Sequence, residues 1–185
     1  VPYLETTGEQ KTKPTQHSVK ALRERGLAPD MIVGRSENEL GQDIKEKIAL
    51  FCDVKETEVI SDPNLDTIYR APMIFDDQKV DQIIAQDLEL PERTNGMNDW
   101  EKRVQNLVSG PVAKIGICGK YTEMDDSYAS VEEALRHSGA ELGGSVEIEY
   151  VSSEDLEGPE LDEFDGVIIP GGFGSRGVEG KIEAI

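Results

Sequence analysis

The chain has 185 residues, and its 19 Lys and Arg stand against 38 Asp and Glu, for a formal net charge of −19. A surface this negative excludes a nucleic-acid or anionic-membrane binder, because both partners require basic surface. Hydrophobic residues make up 37%, enough for a core, and no run of about 18 apolar residues is present to span a membrane. The start, Val1-Pro2-Tyr3-Leu4-Glu5, does not resemble a signal peptide, so a cytoplasmic protein is expected. The length suits one large domain or parts of two.

In chain order, residues 1–10 read as a loop around Thr6-Thr7-Gly8-Glu9. A helix is predicted over 15–25, closing at Gly26 with Pro29 beyond it. Met31-Ile32-Val33 is a short apolar strand. Ser36-Glu37-Asn38-Glu39 fits a capping box, opening a helix that carries Leu40, Ile44 and Ile48 and runs to Phe51. Glu58-Val59-Ile60 is a second strand, so residues 15–60 alternate helix and strand in an α/β pattern. Residues 62–72, bounded by Pro63 and Pro72, read as irregular. The spacing of Val80, Ile83 and Ile84 predicts one amphipathic helix over 76–87. A further helix over about 97–108 holds Trp100, Val104 and Leu107, and Ser109-Gly110-Pro111 is a linker signal. Val112 to Cys118 is a buried strand, 127–138 a helix with Val131, Ala134 and Leu135, and Val146-Glu147-Ile148-Glu149-Tyr150 an alternating strand. Gly166 to Ile169 is another buried strand, and a helix begins near Gly177. This second stretch reads as the start of a parallel α/β domain, with a boundary near 109–111.

The charge is uneven across that boundary. Residues 1–110 carry 14 basic and 21 acidic side chains, a net −7, and residues 111–185 carry 5 and 17, a net −12. Lys11, Lys13, Lys20, Arg23 and Arg25 face only Glu24 within residues 11–25, a +4 island that suits an anionic ligand. Cys52 and Cys118 sit in apolar runs, form no metal or disulfide pattern, and read as small core residues. His17 and His137 have no matching ligand set.

Two motifs carry chemistry. In Lys11-Thr12-Lys13-Pro14-Thr15-Gln16-His17-Ser18, two ammonium groups and several hydroxyls stand at a helix start, whose N–H groups favour anions. A polyphosphate site and a solvated basic helix start both fit. Gly172-Phe173-Gly174-Ser175-Arg176-Gly177 matches G-x-G-x-x-G between a strand and a helix. A dinucleotide site, an oxyanion hole and a tight turn needing positive φ all fit that loop.

These blocks resemble one family. Gly8 to Val19, Lys47-Ile48-Ala49-Leu50-Phe51-Cys52 and Thr67-Ile68-Tyr69-Arg70-Ala71-Pro72 are similar to stretches of CTP synthases. So are Gly119-Lys120-Tyr121-Thr122-Glu123 with Asp126 to Val131, and Pro170 to Gly177 with Glu179-Gly180-Lys181-Ile182. The resemblance covers essentially the whole chain, in the family's order and spacing.

The resemblance implies an α/β protein in three parts. Residues 1–90 correspond to the C-terminal part of a P-loop-like amidoligase domain and 91–111 to a helical interdomain linker. Residues 112–185 correspond to the first strands of a class I glutamine amidotransferase domain, a parallel α/β fold. It implies synthesis of CTP from UTP with ATP, Mg²⁺ and glutamine-derived ammonia, GTP activation, CTP inhibition and a homotetramer. Lys11, Thr12, Lys13, Pro14, Thr15, Gln16 and Lys47 would bind UTP or CTP, mainly through phosphates. Asn64 and Leu65, where the family often has Asp-Val, would contact the adenine of ATP. Gly172, beside Gly171 and Phe173, would bind glutamine at the oxyanion position, which displaces the dinucleotide reading. The phosphate loop, the Mg²⁺ ligands and the Cys-His-Glu triad fall outside these residues. Cys118, on the first strand of its domain, is not the nucleophile. No catalytic residue is therefore assigned here, and the chain alone is expected to be inactive. The start at Val1 and the end inside a helix fit an internal segment of a longer protein. The alternative is a non-catalytic nucleotide-binding or oligomerisation module.

Overall fold

The computed structural model describes residues 1–4, 8–91, 96–124, 126–154, 156 and 161–185. The chain divides into two compact units, Val1–Met97 and Asn98–Ile185. Both are mixed α/β with parallel sheets, the class expected from the sequence.

In the first unit, β1 (Tyr3–Leu4) and β2 (Glu9–Gln10) pair antiparallel, so the expected loop contains a small hairpin. The Thr6-Thr7 part of that loop lies outside the described residues. Helix α1 (Lys13–Arg23) starts two residues earlier than expected, because Pro14 fits a first helical turn, where its missing N–H costs nothing. Strands β3 (Ile32–Arg35) and β4 (Val59–Asp62) are parallel and joined through α2 (Gln42–Cys52). Val19, Ile32, Leu40, Ile48, Ala49, Cys52 and Val59 form the core between them.

The capping box at Ser36 does not form. The Ser36 hydroxyl donates to the Asn38 carbonyl (2.6 Å), and the residue before α2 is Gly41 in extended geometry. Leu40 is buried, and its N–H donates to the Ser61 hydroxyl (2.9 Å). That anchor on β4 keeps the approach extended, so the helix starts five residues later than a cap at Ser36 implied.

The single helix expected over 76–87 is two, α3 (Ala71–Asp77) and α4 (Val80–Asp87), and the irregular 62–72 stretch holds a 3-10 turn at Ile68–Arg70. Pro72 lies in the first turn of α3 rather than marking a boundary. The break at Gln78 and Lys79 has a physical reason. The Gln78 carboxamide accepts from the Ser61 N–H (2.8 Å) and donates to the Ser61 carbonyl (2.8 Å). It also accepts from Lys45 Nζ (3.0 Å) and donates to the Ile74 carbonyl (3.0 Å). One side chain thus gives β4 the pairing that a further strand would supply. Lys79 takes a left-handed conformation (φ 58°) next to it.

In the second unit, α5 (Met97–Ser109) buries Val104 and half-buries Trp100. It fills most of the expected linker 91–111, of which 92–95 lie outside the described residues. Strands β5 (Val112–Gly119), β6 (Ser145–Ser152) and β7 (Gly166–Ile168) form a parallel sheet in the order β6-β5-β7, with α6 (Ala129–Leu142) between β5 and β6. Helix α7 (Val178–Glu183) follows β7. On β6, Glu147 and Glu149 are exposed while Ile148 and Tyr150 are half-buried, as the alternation predicts. Cys52 and Cys118 are both fully buried, matching their reading as core residues.

Replacing Gln78 by Leu keeps the volume but strands the buried N–H and carbonyl of Ser61. The expected cost is about 1–3 kcal/mol, read as a lower urea midpoint for the first unit. An unchanged midpoint would contradict the strand-mimic account.

Candidate functional site

The basic strip lies at the start of α1. Thr12 precedes the helix, is buried, and its hydroxyl accepts from Gln16 Nε2 (3.0 Å) rather than capping a backbone N–H. Lys13 and Pro14 are exposed, and Thr15 and Gln16 are half-buried. Lys11 pairs with Glu9, and this bond and charge hold the Glu9 carboxyl below the usual carboxylate range. Lys47 adds to the same shift, so two lysines 36 positions apart act on one carboxylate. Lys47 lines an open pocket of about 450 Å³ with Tyr3, Glu9, Gln10, Asn38 and Asp43. Gln10 was missed by sequence reasoning. Its carboxamide donates to the carbonyls of Asn38 (3.2 Å) and Glu39 (3.1 Å) and ties the hairpin to the approach of α2.

The rest of the strip points elsewhere. Gln16 lines a second pocket, of about 540 Å³, with His17, Lys20, Arg23 and the exposed Phe51. Part of the +4 island is structural: Arg23 donates to the Cys52 carbonyl (2.5 Å) at the end of α2 and lies 3.6 Å from Asp53. Asn64 is exposed, and its N–H donates to the Glu37 carbonyl (3.3 Å); Leu65 is half-buried beside it.

The second candidate is the turn after β7. The chain passes from β5 through α6 to β6 on one edge of β5, then crosses to β7 on the other edge. The carboxyl ends of β5 and β7 therefore flank a switch point, the place where parallel sheets bind ligands. Gly174 (φ 84°) and Gly177 (φ 70°) use the left-handed region, so the tight-turn reading of the glycines holds at those two positions. Gly172 is exposed, and a Cβ built there would lie 3.5 Å from both Lys120 Cε and Lys181 Nζ. Lys120 donates to the Phe173 carbonyl, Lys181 to the Pro170 carbonyl (2.7 Å), and Arg176 to the Lys120 carbonyl (3.1 Å). Phe173 itself is 96% exposed. Three of the five cations of residues 111–185 thus converge on this turn. Sequence reasoning quoted them only within motif blocks and missed that they meet. The available signal was their scarcity: in so acidic a stretch, cations falling inside the blocks have few other roles.

Beneath this end of the sheet, the Tyr128 and Tyr150 rings pack at 5.9 Å, and the Tyr150 hydroxyl donates to Glu132. That bond, together with Arg136 at 2.9 Å, holds the Glu132 carboxyl below the usual carboxylate range. Among the described residues, no group of three or more His, Cys, Asp and Glu could hold a metal ion, and no helix is long and apolar enough to cross a membrane.

Residues 1–90 match the family described as CTP synthase N-terminus, and residues 123–185 match glutamine amidotransferase class-I. The CTP synthase of Geobacillus kaustophilus (strain HTA426) is 46% identical over 100% of this chain and 36% of its own length. That of Archaeoglobus fulgidus is 49% identical over 98% of this chain and 35% of its own length. That of Methanothermobacter thermautotrophicus is 45% identical over 100% and 35%. The chain belongs to the CTP synthase family. It spans little more than a third of the length of the curated relatives it matches.

Because the folded-state pKa of Glu132 is depressed, its contribution to stability is full above the unfolded value and is lost as pH falls through the folded one. Glu132→Gln should therefore lower the unfolding midpoint at pH 7. The gap from the parent should close as pH drops below about 4, as followed by thermal unfolding across pH. A gap constant with pH would assign the loss to packing instead.

Proposed function

We propose that this chain is part of an enzyme that converts UTP to CTP with ATP and ammonia released from glutamine. The observation that carries the reading is the match to CTP synthases along the whole chain, through both units in one order. In this reading residues 1–90 are the C-terminal part of a P-loop-like amidoligase domain, 91–111 the linker, and 112–185 the opening of the glutaminase domain.

Lys11, Thr12, Lys13, Pro14, Thr15, Gln16 and Lys47 hold UTP, or CTP in competition, chiefly by its phosphates. The pairing of Lys11 with Glu9 and the shared pocket of Glu9 and Lys47 support this, because an incoming phosphate would take the place of that carboxylate on Lys11 with Lys47 lining the same pocket. Asn64 and Leu65 contact the adenine of ATP. ATP activates O4 of UTP as a phosphate ester, and ammonia displaces the phosphate.

Gly172 takes glutamine, and backbone N–H groups of its turn face the oxyanion that forms at the amide carbon. Lys120 and Lys181 beside Gly172 suit the substrate's carboxylate. The nucleophile is not Cys118, whose thiol is fully buried in β5 and pushed up by that burial. Neither a Walker-type phosphate loop nor a cysteine nucleophile turn occurs in the 185 residues, so other parts of the whole protein supply them, and these residues alone are inactive. Mg²⁺ would screen the ATP phosphates, and its ligands also lie elsewhere in the whole protein. That protein works as a GTP-activated homotetramer in the cytoplasm.

The test is the protein expressed from its complete gene and supplied with UTP, ATP and Mg²⁺. CTP should form with either glutamine or ammonium as nitrogen source, and no CTP from ammonium would overturn the reading. Within that protein, Lys11→Ala and Lys13→Ala should each weaken UTP and CTP together, by about tenfold for a lost charge-assisted phosphate contact, in a binding titration. Weakening of ATP alone would contradict the assignment.

A further inference from the structure

We propose that Ser153 is a positioning residue for the glutamine subsite, acting as the seat on which α7 and the Pro170–Gly177 turn rest. The inference rests on the glutaminase reading of that turn and goes beyond it by naming what sets its position.

Ser153 follows β6 and extends its pairing, its N–H donating to the Gly119 carbonyl (2.9 Å). It is 1% exposed, yet its hydroxyl has no hydrogen-bond partner among the described residues. A buried hydroxyl left unpaired is costly, so polar pairing does not explain this residue. Shape does. A Cβ at Gly177 would run into the Ser153 hydroxyl and would stand 3.4 Å from Lys120 Cβ. A Cβ at Gly180 would run into the Ser153 carbonyl oxygen and stand 2.8 Å from its carbonyl carbon. Two glycines three positions apart thus seat the start of α7 on Ser153, Gly177 against its small side chain and Gly180 against its backbone. Any larger group at 153 meets backbone rather than a side chain that can swing away.

The seat is coupled to the turn by the cations already described. Lys181 on α7 holds the Pro170 carbonyl, Arg176 holds the Lys120 carbonyl, and Lys120 holds the Phe173 carbonyl. Lifting α7 from Ser153 therefore moves the Pro170 carbonyl relative to the Phe173 carbonyl, which Lys120 holds at the end of β5, and distorts the turn around Gly172. A shift of about 1 Å in a positioned group can cost about 100-fold in rate, so small bulk at 153 should be read at the subsite.

The experiment uses the complete protein with three variants and two nitrogen sources. Ser153→Val adds bulk against Gly177, Ser153→Thr adds one methyl, and Ser153→Ala removes the unpaired hydroxyl and adds nothing. The expected result is a glutamine KM raised about tenfold or more in Ser153→Val and less in Ser153→Thr. Ammonium-dependent CTP synthesis should stay within about twofold, and Ser153→Ala should keep the parent KM. Three results would overturn the inference: an unchanged glutamine KM in Ser153→Val, equal loss with both nitrogen sources in Ser153→Thr, or a loss in Ser153→Ala as large as in Ser153→Val. A parent protein that makes CTP from neither source would instead remove the glutaminase reading beneath it.

Discussion

Strand β5 is hydrogen-bonded on both edges, to β6 from Val112 to Gly119 and to β7 from Ile115 to Ile117. Where a central parallel strand ends, the chain on either side of it must leave the sheet, and the backbone groups that leave need partners. Lys120 is the first residue past that end, and its carbonyl is taken by Arg176 while its ammonium takes the Phe173 carbonyl. Ser153, just past β6, is held in turn by Gly119. The end of β5 therefore fixes three segments at once: its own exit, the exit of β6, and the glycine turn after β7. The opposite end of the sheet is closed differently. There Lys114 stands over the Phe164 ring at 4.9 Å and pairs with Glu149 (3.1 Å) and Glu163 (2.7 Å), so its charge is met by acids.

The first unit works under the same constraint with fewer strands. Its parallel pair β3–β4 has one edge of β4 served by the Gln78 carboxamide, and Ser61 serves both that carboxamide and the N–H of Leu40. Satisfying backbone groups with side chains costs regular structure elsewhere. The α3–α4 break and the late start of α2 are both consequences of groups recruited to β4. The cations on this unit are distributed by the same logic, with Arg23 used to join α1 to the end of α2 and Lys11 left facing a pocket-lining acid.

This explains what could be read from the sequence and what could not. Strands and helices with strong local patterning were legible: β5 as an apolar run, β6 as an alternation, α1, α5 and α6 within a few residues of their bounds, and α2 at its C-terminal end. The errors sit where a distant partner overrides local preference. Ser36 has the spacing of a cap, yet Leu40 is claimed by Ser61, 21 positions away. Val80, Ile83 and Ile84 have helical spacing, yet the helix cannot run back through Gln78, which is claimed by Ser61. For the site, the motif blocks were legible as blocks. That Gln16 lines a different pocket from Lys47, and that Lys120, Arg176 and Lys181 meet, depend on pairings of strands and helices that no local window contains.

The way those three cations are satisfied bears on what the turn can hold. Lys120 and Lys181 each spend a donor on a backbone carbonyl, and of the three cations only Arg176 has a carboxylate partner among the described residues, Glu154 at 3.0 Å. A carbonyl fixes the position of an ammonium group without cancelling its charge. Two full positive charges therefore stand beside Gly172 in a stretch that is otherwise net −12, the reverse of the Lys114 end, where pairing with acids removes the field. An anionic or carboxylate-bearing ligand is favoured at this turn for that reason, and its neighbours are held by backbone bonds before it arrives. Such preorganisation is effective only while the turn stays put. That requirement gives the glycines facing Ser153 a purpose that conformational freedom alone does not: they let backbone, the least yielding part of the chain, set the height of the turn above the sheet.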